Sequence, residues 1–313
     1  MRFRYYLMII LLLILSSITQ AKPLKLLLDW HLNPDHAPII VAKEFGFFKK
    51  HHVKVKLIQP SNSADPVKMV AAGQADIGIT YQPGFMIAVS QGLPLVRFAS
   101  LVNQPLNCLL TLKQFNIKNL KDLKGKTLAH DASGGNQIML RTMLRHEGMS
   151  LKDVNTITVH FSEVQALLSH RVQGFTGAMR NLEPYEIKQH GQKPQVFIPQ
   201  NYGYPTYDEL IFITNRDKID DPRLPRFVAA LREATHYLKQ HPHKTWQRFA
   251  NQHPDLDTQL NHTVWFKSLQ YFADKPGKLN KKRYKHFTHF LQQQGLIKQV
   301  PPLGKYTVQL AHS

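Results

Sequence analysis

Trp30 closes the run Leu28-Asp29-Trp30, directly after a short apolar stretch, and is followed by His31-Leu32-Asn33-Pro34-Asp35-His36. An indole at a strand's edge offers a flat apolar face for a planar ring, together with an N–H donor. A core tryptophan would read the same way. Tyr81 follows the apolar run Ile77–Thr80 and is a second candidate platform, and His36 is near enough to the first strand to reach the same place. Ser133-Gly134-Gly135-Asn136 stands between a strand-like and a helix-like segment. Glycines there let a ligand approach the backbone, and the first turn of a helix has unpaired N–H donors; a plain tight turn has the same sequence. Glu183, after another strand, could accept hydrogen bonds from an amine or a protonated ring nitrogen, or could simply be a solvated acid. Asp208 and Glu209, with Tyr204 and Tyr207 before them, carry the same two alternatives.

Other chemistries lack their residues. Cys108 is the single cysteine, which excludes an intramolecular disulfide or a multi-cysteine zinc site. The seventeen histidines show no completed ligand set and no His-Glu-x-x-His, and Gly-x-Ser-x-Gly is absent. No metal, cofactor or catalytic residue is therefore expected.

Strand and helix signals alternate along the chain. Lys25–Asp29, Val53–Ile58, Ile77–Thr80 and Leu95–Leu101 read as strands. Helical stretches run from near Pro34 to Gly46 and over Ala64–Ala72, the latter with Pro66 in its first turn and Gly73 at its stop. A second set comprises strands at Thr127–Asp131, Thr156–Phe161, Gly174–Met179 and Gln195–Pro199, with helices at Asn136–Glu147 and Ser162–His170. After a strand at Leu210–Asn215 the chain turns helical. This order predicts an α/β fold of two lobes, each a mostly parallel sheet covered by helices. The helix-Gly-strand sequence around Ala75–Ile79 is loosely echoed around Gly174–Ala178. No Gly/Ser linker separates the lobes, so two crossing strands, near Cys108–Lys113 and Leu210–Asn215, are expected to form a hinge. Residues 22–110 and 212–313 would then form a discontinuous first lobe and 111–211 the second. Ligands of open α/β sheets sit at the carboxyl ends of strands, which makes the inter-lobe cleft the expected site.

The ends of the chain bear on location. Arg2 and Arg4, the apolar run Leu7–Leu15 and Thr19-Gln20-Ala21 form a secretory leader with expected cleavage near Ala21. The nine-residue run is short of the ~20 apolar residues that span a bilayer. Of 313 residues, 40 are Lys or Arg and 21 Asp or Glu, giving a formal charge of +19, and the leader's two arginines take that to about +17. The charge favours contact with anionic surfaces. The tract Lys278–Lys285 is its densest stretch, a solvated face that could meet lipid or a transporter. No nucleic-acid-binding motif accompanies it.

The segments Leu28-Asp29-Trp30, Asn33-Pro34-Asp35-His36, Val41–Phe48, Ala71–Pro83 and Gly203–Leu210 resemble those of exported substrate-binding proteins for thiamine pyrimidine precursors. These proteins serve ABC transporters and share a family with the fungal-type hydroxymethylpyrimidine synthases. The resemblance covers roughly Pro23 to Asn251. It implies a two-lobed periplasmic-binding-protein fold of type II, a monomer in the periplasm, and an inner-membrane ABC permease as partner. It also implies a flat pyrimidine, hydroxymethylpyrimidine or formylaminopyrimidine, held in the cleft. Trp30 and Tyr81 would be ring platforms, Glu183 the partner of the aminopyrimidine edge, and Ser133 through Asn136 the polar turn at the ligand's other end. The synthases use an active-site lysine and histidine; Thr80 and Gly84 stand at those positions here, and Tyr204–Asp208 holds no cysteine where the synthases bind iron. A binding protein is expected rather than an enzyme, with riboflavin, a sulfonate or nitrate as alternative cargo.

Overall fold

The computed structural model describes residues 22–131, 135–299 and 301–310. The expected leader lies outside the described residues. In the first half, β1 (Leu24–Leu27), β2 (Val55–Ile58) and β3 (Ile77–Thr80) alternate with helices α1 (Ala37–Glu44), α2 (Phe47–Lys50) and α3 (Asp65–Ala71). A further helix, α4 (Gln82–Ser90), precedes β4 (Leu95–Val102). In the second half, β5 (Asn107–Leu112), β6 (Thr127–His130), β7 (Asn155–Thr158), β8 (Gly174–Met179) and β9 (Pro194–Phe197) accompany α5 (Gly135–His146), α6 (Glu163–Leu168) and α7 (Glu183–Gln189). Then come β10 (Leu210–Asn215) and helices α8 (Arg223–Gln240), α9 (Pro242–Gln252), α10 (Gln259–Ser268) and α11 (Lys281–Gln293).

The strands form two five-stranded sheets, ordered β2-β1-β3-β10-β4 and β7-β6-β8-β5-β9. In each sheet the first three strands are parallel. Each sheet is mixed, because β10 enters the first antiparallel to β3 and β4, and β5 enters the second antiparallel to β8 and β9. Each of these two strands lies wholly in one sheet. The chain changes sheets ahead of them, at residues 103–106 and 198–209.

Local sequence explains most elements. The Asp65 carboxylate accepts the N–H groups of Ser61 and Asn62, both at 2.9 Å, and folds the chain into α3. Helix α4 has no polar stripe. Phe85, Met86, Ala88 and Val89 are all buried, so it lacks the one-sided periodicity that marks a surface helix. Helix α8 does show that stripe and lays Leu224, Phe227, Val228 and Leu231 into the core of the first lobe. Helix α11 buries Phe287 and Phe290 against Tyr204 of the second crossing. Just beyond α11, the Gln294 carbonyl accepts from Arg141 of α5 at 2.7 Å, so the C-terminal segment meets both lobes. The basic tract divides: Lys278, Lys281, Lys282 and Lys285 are exposed, while Tyr284 is buried and Arg283 turns inward to Asp208.

Close packing in the second sheet demands glycine at 174. A Cβ there would meet the Thr111 Cγ2 at 2.9 Å and the Leu110 carbonyl oxygen at 3.0 Å. Gly174→Ala is expected to lower stability by about 1–3 kcal/mol, measured by urea denaturation; an unchanged midpoint would show that β5 and β8 separate without cost.

Candidate functional site

The parallel strands of both sheets end at one cleft. β1 is followed by Asp29 and Trp30, β3 by Tyr81, and β6 by Asp131. β7 leads to Phe161 and Glu163, and β8 to Glu183. Together they line a cavity of about 270 Å³, a volume suited to one small ring system.

On the first lobe, Asn33 starts a short helical turn, and its N–H donates to His36 Nδ1 at 3.2 Å. Nδ1 is thus an acceptor, and the proton resides on Nε2, 3.0 Å from Asp29 Oδ1. Asp29 Oδ2 accepts the Tyr81 hydroxyl at 2.8 Å. A buried carboxylate is satisfied from both sides by one histidine and one phenol. Burial and the charges of Asp29 and Asp131 push the Tyr81 pKa well above its ordinary value, so Tyr81 stays a donor.

On the second lobe, Glu183 Oε2 accepts the Met179 N–H at 2.7 Å. Burial, with Glu186 and Asp35 nearby, raises its pKa well above the ordinary carboxyl range. Glu163 is 6% exposed, and its Oε1 has no hydrogen-bond partner among the described residues. Burial, with Asp131 adding to it, pushes this acid up to about 7.

The lobes touch across the cleft. The ring of Phe161 stands edge-on to Trp30, centroids 4.1 Å apart at 71°. Asn62 meets His160 at 3.1 Å. Deeper in, Asp35 Oδ1 accepts from Asn181 Nδ2 at 2.7 Å and from the Ser268 hydroxyl at 2.6 Å. Phe161 adopts φ +56°, a left-handed backbone that costs a non-glycine residue about 1–2 kcal/mol.

Trp30, His36, Tyr81 and Glu183 therefore come together. His36 does so as a support, since both its ring nitrogens are engaged. Ser133 and Gly134 lie outside the described residues. Gly135 and Asn136 border a separate, water-sized hollow beside Tyr81 and Glu209. The Asn136 amide is taken up inside the protein: its Nδ2 donates to Asp131 at 2.7 Å and its Oδ1 accepts from Asn107 at 2.6 Å. It positions Asp131, which does line the cleft. Asp208 is displaced altogether. It is buried behind the first sheet, ion-paired with Arg283 and accepting the Ser100 hydroxyl at 2.8 Å, because two arginines from outside the cleft claim its charge. Asp29, Asp131, Phe161 and Glu163 are functional candidates that the sequence did not single out. The signal was present, as each follows the end of a parallel strand.

Among the described residues, six carboxyl groups and no lysine or arginine line this cavity, in a chain whose basic residues outnumber its acidic ones 40 to 21. The lining is acidic, against the sign of the whole protein.

The sequence profile of the family described as NMT1/THI5 like matches residues 33–245. A Haemophilus influenzae protein whose name assigns it to thiamine biosynthesis is 41% identical over 301 residues, 96% of each chain. The formylaminopyrimidine-binding protein of Halalkalibacterium halodurans is 28% identical, covering 80% of this chain and 77% of its own. A 4-amino-5-hydroxymethyl-2-methylpyrimidine phosphate synthase of Saccharomyces cerevisiae is 24% identical, covering 79% and 76%. The crystal structure of the alkanesulfonate-binding protein from Xanthomonas axonopodis pv. citri, bound to MOPS, superposes with a TM-score of 0.73 at 14% identity, covering 93% of this chain and all of that one. The fold is that of the two-lobed periplasmic binding proteins.

An acid that binds its proton more tightly when folded loses stability as pH rises, here between the ordinary 4.5 and about 7 for Glu163. Glu163→Gln removes that slope. The variant should exceed the wild type by on the order of 1–3 kcal/mol near pH 8 and by little near pH 4. Urea denaturation at both pH values measures this, and an equal gain at the two would show that the Glu163 charge carries no folding cost.

Proposed function

The chain belongs to the NMT1/THI5-like family, and on that premise we propose that it is an exported substrate-binding protein which delivers a thiamine pyrimidine precursor to an ABC permease. The cargo is hydroxymethylpyrimidine or formylaminopyrimidine, bound without chemical change by a monomer in the periplasm. The leader at residues 1–21 supports that location. The observation that carries the proposal is the meeting of Trp30 and Glu183 in one cleft between two lobes. An aromatic wall and a desolvated acid are what a flat, amine-bearing ring requires. Trp30 and Tyr81 serve as ring platforms. Glu183 takes the aminopyrimidine edge, where its raised pKa lets one proton be shared between the acid and a ring nitrogen. Closure brings Phe161 onto Trp30, so the ligand is held by both lobes only when they meet, and the permease distinguishes the loaded form by that closure.

Two other functions fit less well. A synthase would need the lysine and histidine that Thr80 and Gly84 replace, and cysteines that Tyr204–Asp208 lacks. A sulfonate or nitrate carrier would need cations in the cleft, and none of the described lining residues is lysine or arginine.

Calorimetry on the purified mature chain tests the proposal. 4-Amino-5-hydroxymethyl-2-methylpyrimidine is expected to bind at micromolar Kd or below, about −8 kcal/mol or better. Trp30→Ala should weaken it by about 100-fold, the cost of truncating a central aromatic anchor. Phe161→Ala should weaken it by about tenfold, in keeping with one edge-to-face pair. Full affinity in the Trp30 variant would remove that residue from the site.

A further inference from the structure

We propose that a second hollow, beside the head of α11 and apart from the cleft, is a binding site for a phosphate-bearing anion, either free phosphate or the headgroup of an anionic lipid.

The hollow has a volume of about 350 Å³, and its lining includes Ser100, Asp208, Lys275, Lys278, Asn280 and Arg283. None of these lines the inter-lobe cleft. The stretch of chain that contributes most of them is one-sided in charge. From Lys275 to Ser313 it carries eight lysines and arginines and no aspartate or glutamate.

A turn sets two of these cations. In Lys275-Pro276-Gly277-Lys278 the Lys278 N–H donates to the Lys275 carbonyl at 3.0 Å, which holds the two lysine backbones within about 7 Å of each other. The turn is anchored from inside the protein. Its Pro276 carbonyl accepts the Ser100 N–H at 2.8 Å, and its Lys278 carbonyl accepts Arg97 Nη2 at 2.8 Å. Pro276 and Gly277 are buried, while both lysines are exposed. Among the described residues neither lysine forms an ion pair. Asp274, the acid next to them, is engaged by Lys239 at 2.6 Å.

Positive charge is also in excess behind the lining. Asp208 is ion-paired with Arg283, and the fully buried Arg97 lies 3.9 Å from its other oxygen. Two guanidinium groups thus share one carboxylate. Arg283 spends Nη1 on Asp208 and the Asn103 carbonyl, and its other nitrogens donate to no described residue. Arg97 Nε and Nη1 are likewise unmet among the described residues. Buried charge without its counterpart is costly, and an anion in the hollow offsets it. Asn280, which caps α11, stands in the same lining, so the positive end of that helix adds to the field. A phosphate group has several oxygens that accept from ammonium and guanidinium donors at once, which suits two mounted lysines beside an arginine.

Two arms test this on the full mature chain at constant ionic strength near pH 7. Calorimetry uses inorganic phosphate. Co-sedimentation uses phosphatidylglycerol vesicles, with phosphatidylcholine vesicles as reference. Phosphate binding to one site with a Kd of about 1 mM or tighter identifies free phosphate as the source. Retention on phosphatidylglycerol vesicles alone identifies the lipid. In the double variant Lys275→Ala/Lys278→Ala, the arm that responds should weaken by about tenfold. Lys281→Ala/Lys282→Ala removes the same charge from exposed positions outside the lining and should stay within about twofold of the wild type. All four lysines are exposed, so both variants retain the packing of the wild type. No response in either arm overturns the proposal, and so does undiminished binding by the Lys275/Lys278 variant. Equal losses in the two variants also overturn it, because the attraction is then that of the protein's general field.

Discussion

Glu209 sits where the chain changes sheets. Its Oε2 accepts the N–H groups of Leu106 and Asn107, from the end of the first crossing, and the hydroxyl of Tyr207, from the second. One fully buried carboxylate thereby ties both crossings together. Burial pushes it up to about 7, with these three donors working in the other direction. A buried acid is tolerable at such a place only because donors converge on it. This tie joins the two crossings from which the lobes extend, and the lobes bring together residues 153 positions apart in the chain, Trp30 and Glu183.

Given that junction, symmetry does much of the rest. Each sheet has three parallel strands, then the antiparallel strand that arrives from the other lobe, then the last of its own. Two such sheets facing one another bring the carboxyl ends of both parallel sets to a common cleft. Residues at equivalent places then line it together: Asp29 and Trp30 after β1, Asp131 after β6. The second lobe supplies Phe161 in a strained conformation, and its contact with Trp30 joins the two rims.

Charge is distributed with equal consequence. The surface is strongly basic, the exposed lysines around α11 included. The cleft carries the opposite sign. A long-range positive field and a short-range acidic pocket do not conflict, because exposed charges are screened within about 10 Å while buried ones are not.

The alternation of strands and helices, the two-lobe architecture and the post-strand positions of Trp30, Tyr81 and Glu183 were legible in the amino-acid sequence, since they follow from local periodicity and from breakers such as Pro66 and Gly73. Helix α4 was not, because a helix with no exposed face has no polar stripe to mark it. Asp208 and Glu163 show where local information ends. Both are acids close to element boundaries and look alike in one dimension. Arg97 and Arg283 draw Asp208 into the body of the protein, while Glu163 is left in the cleft with an oxygen unmet among the described residues. The chain's own pattern determined which elements form and which residue types end them. Only the folded arrangement decided which of those residues have their charge consumed internally and which face the cleft, because hydrogen-bond and ion-pair partners are chosen by distance in space, across sequence separations that no local pattern records.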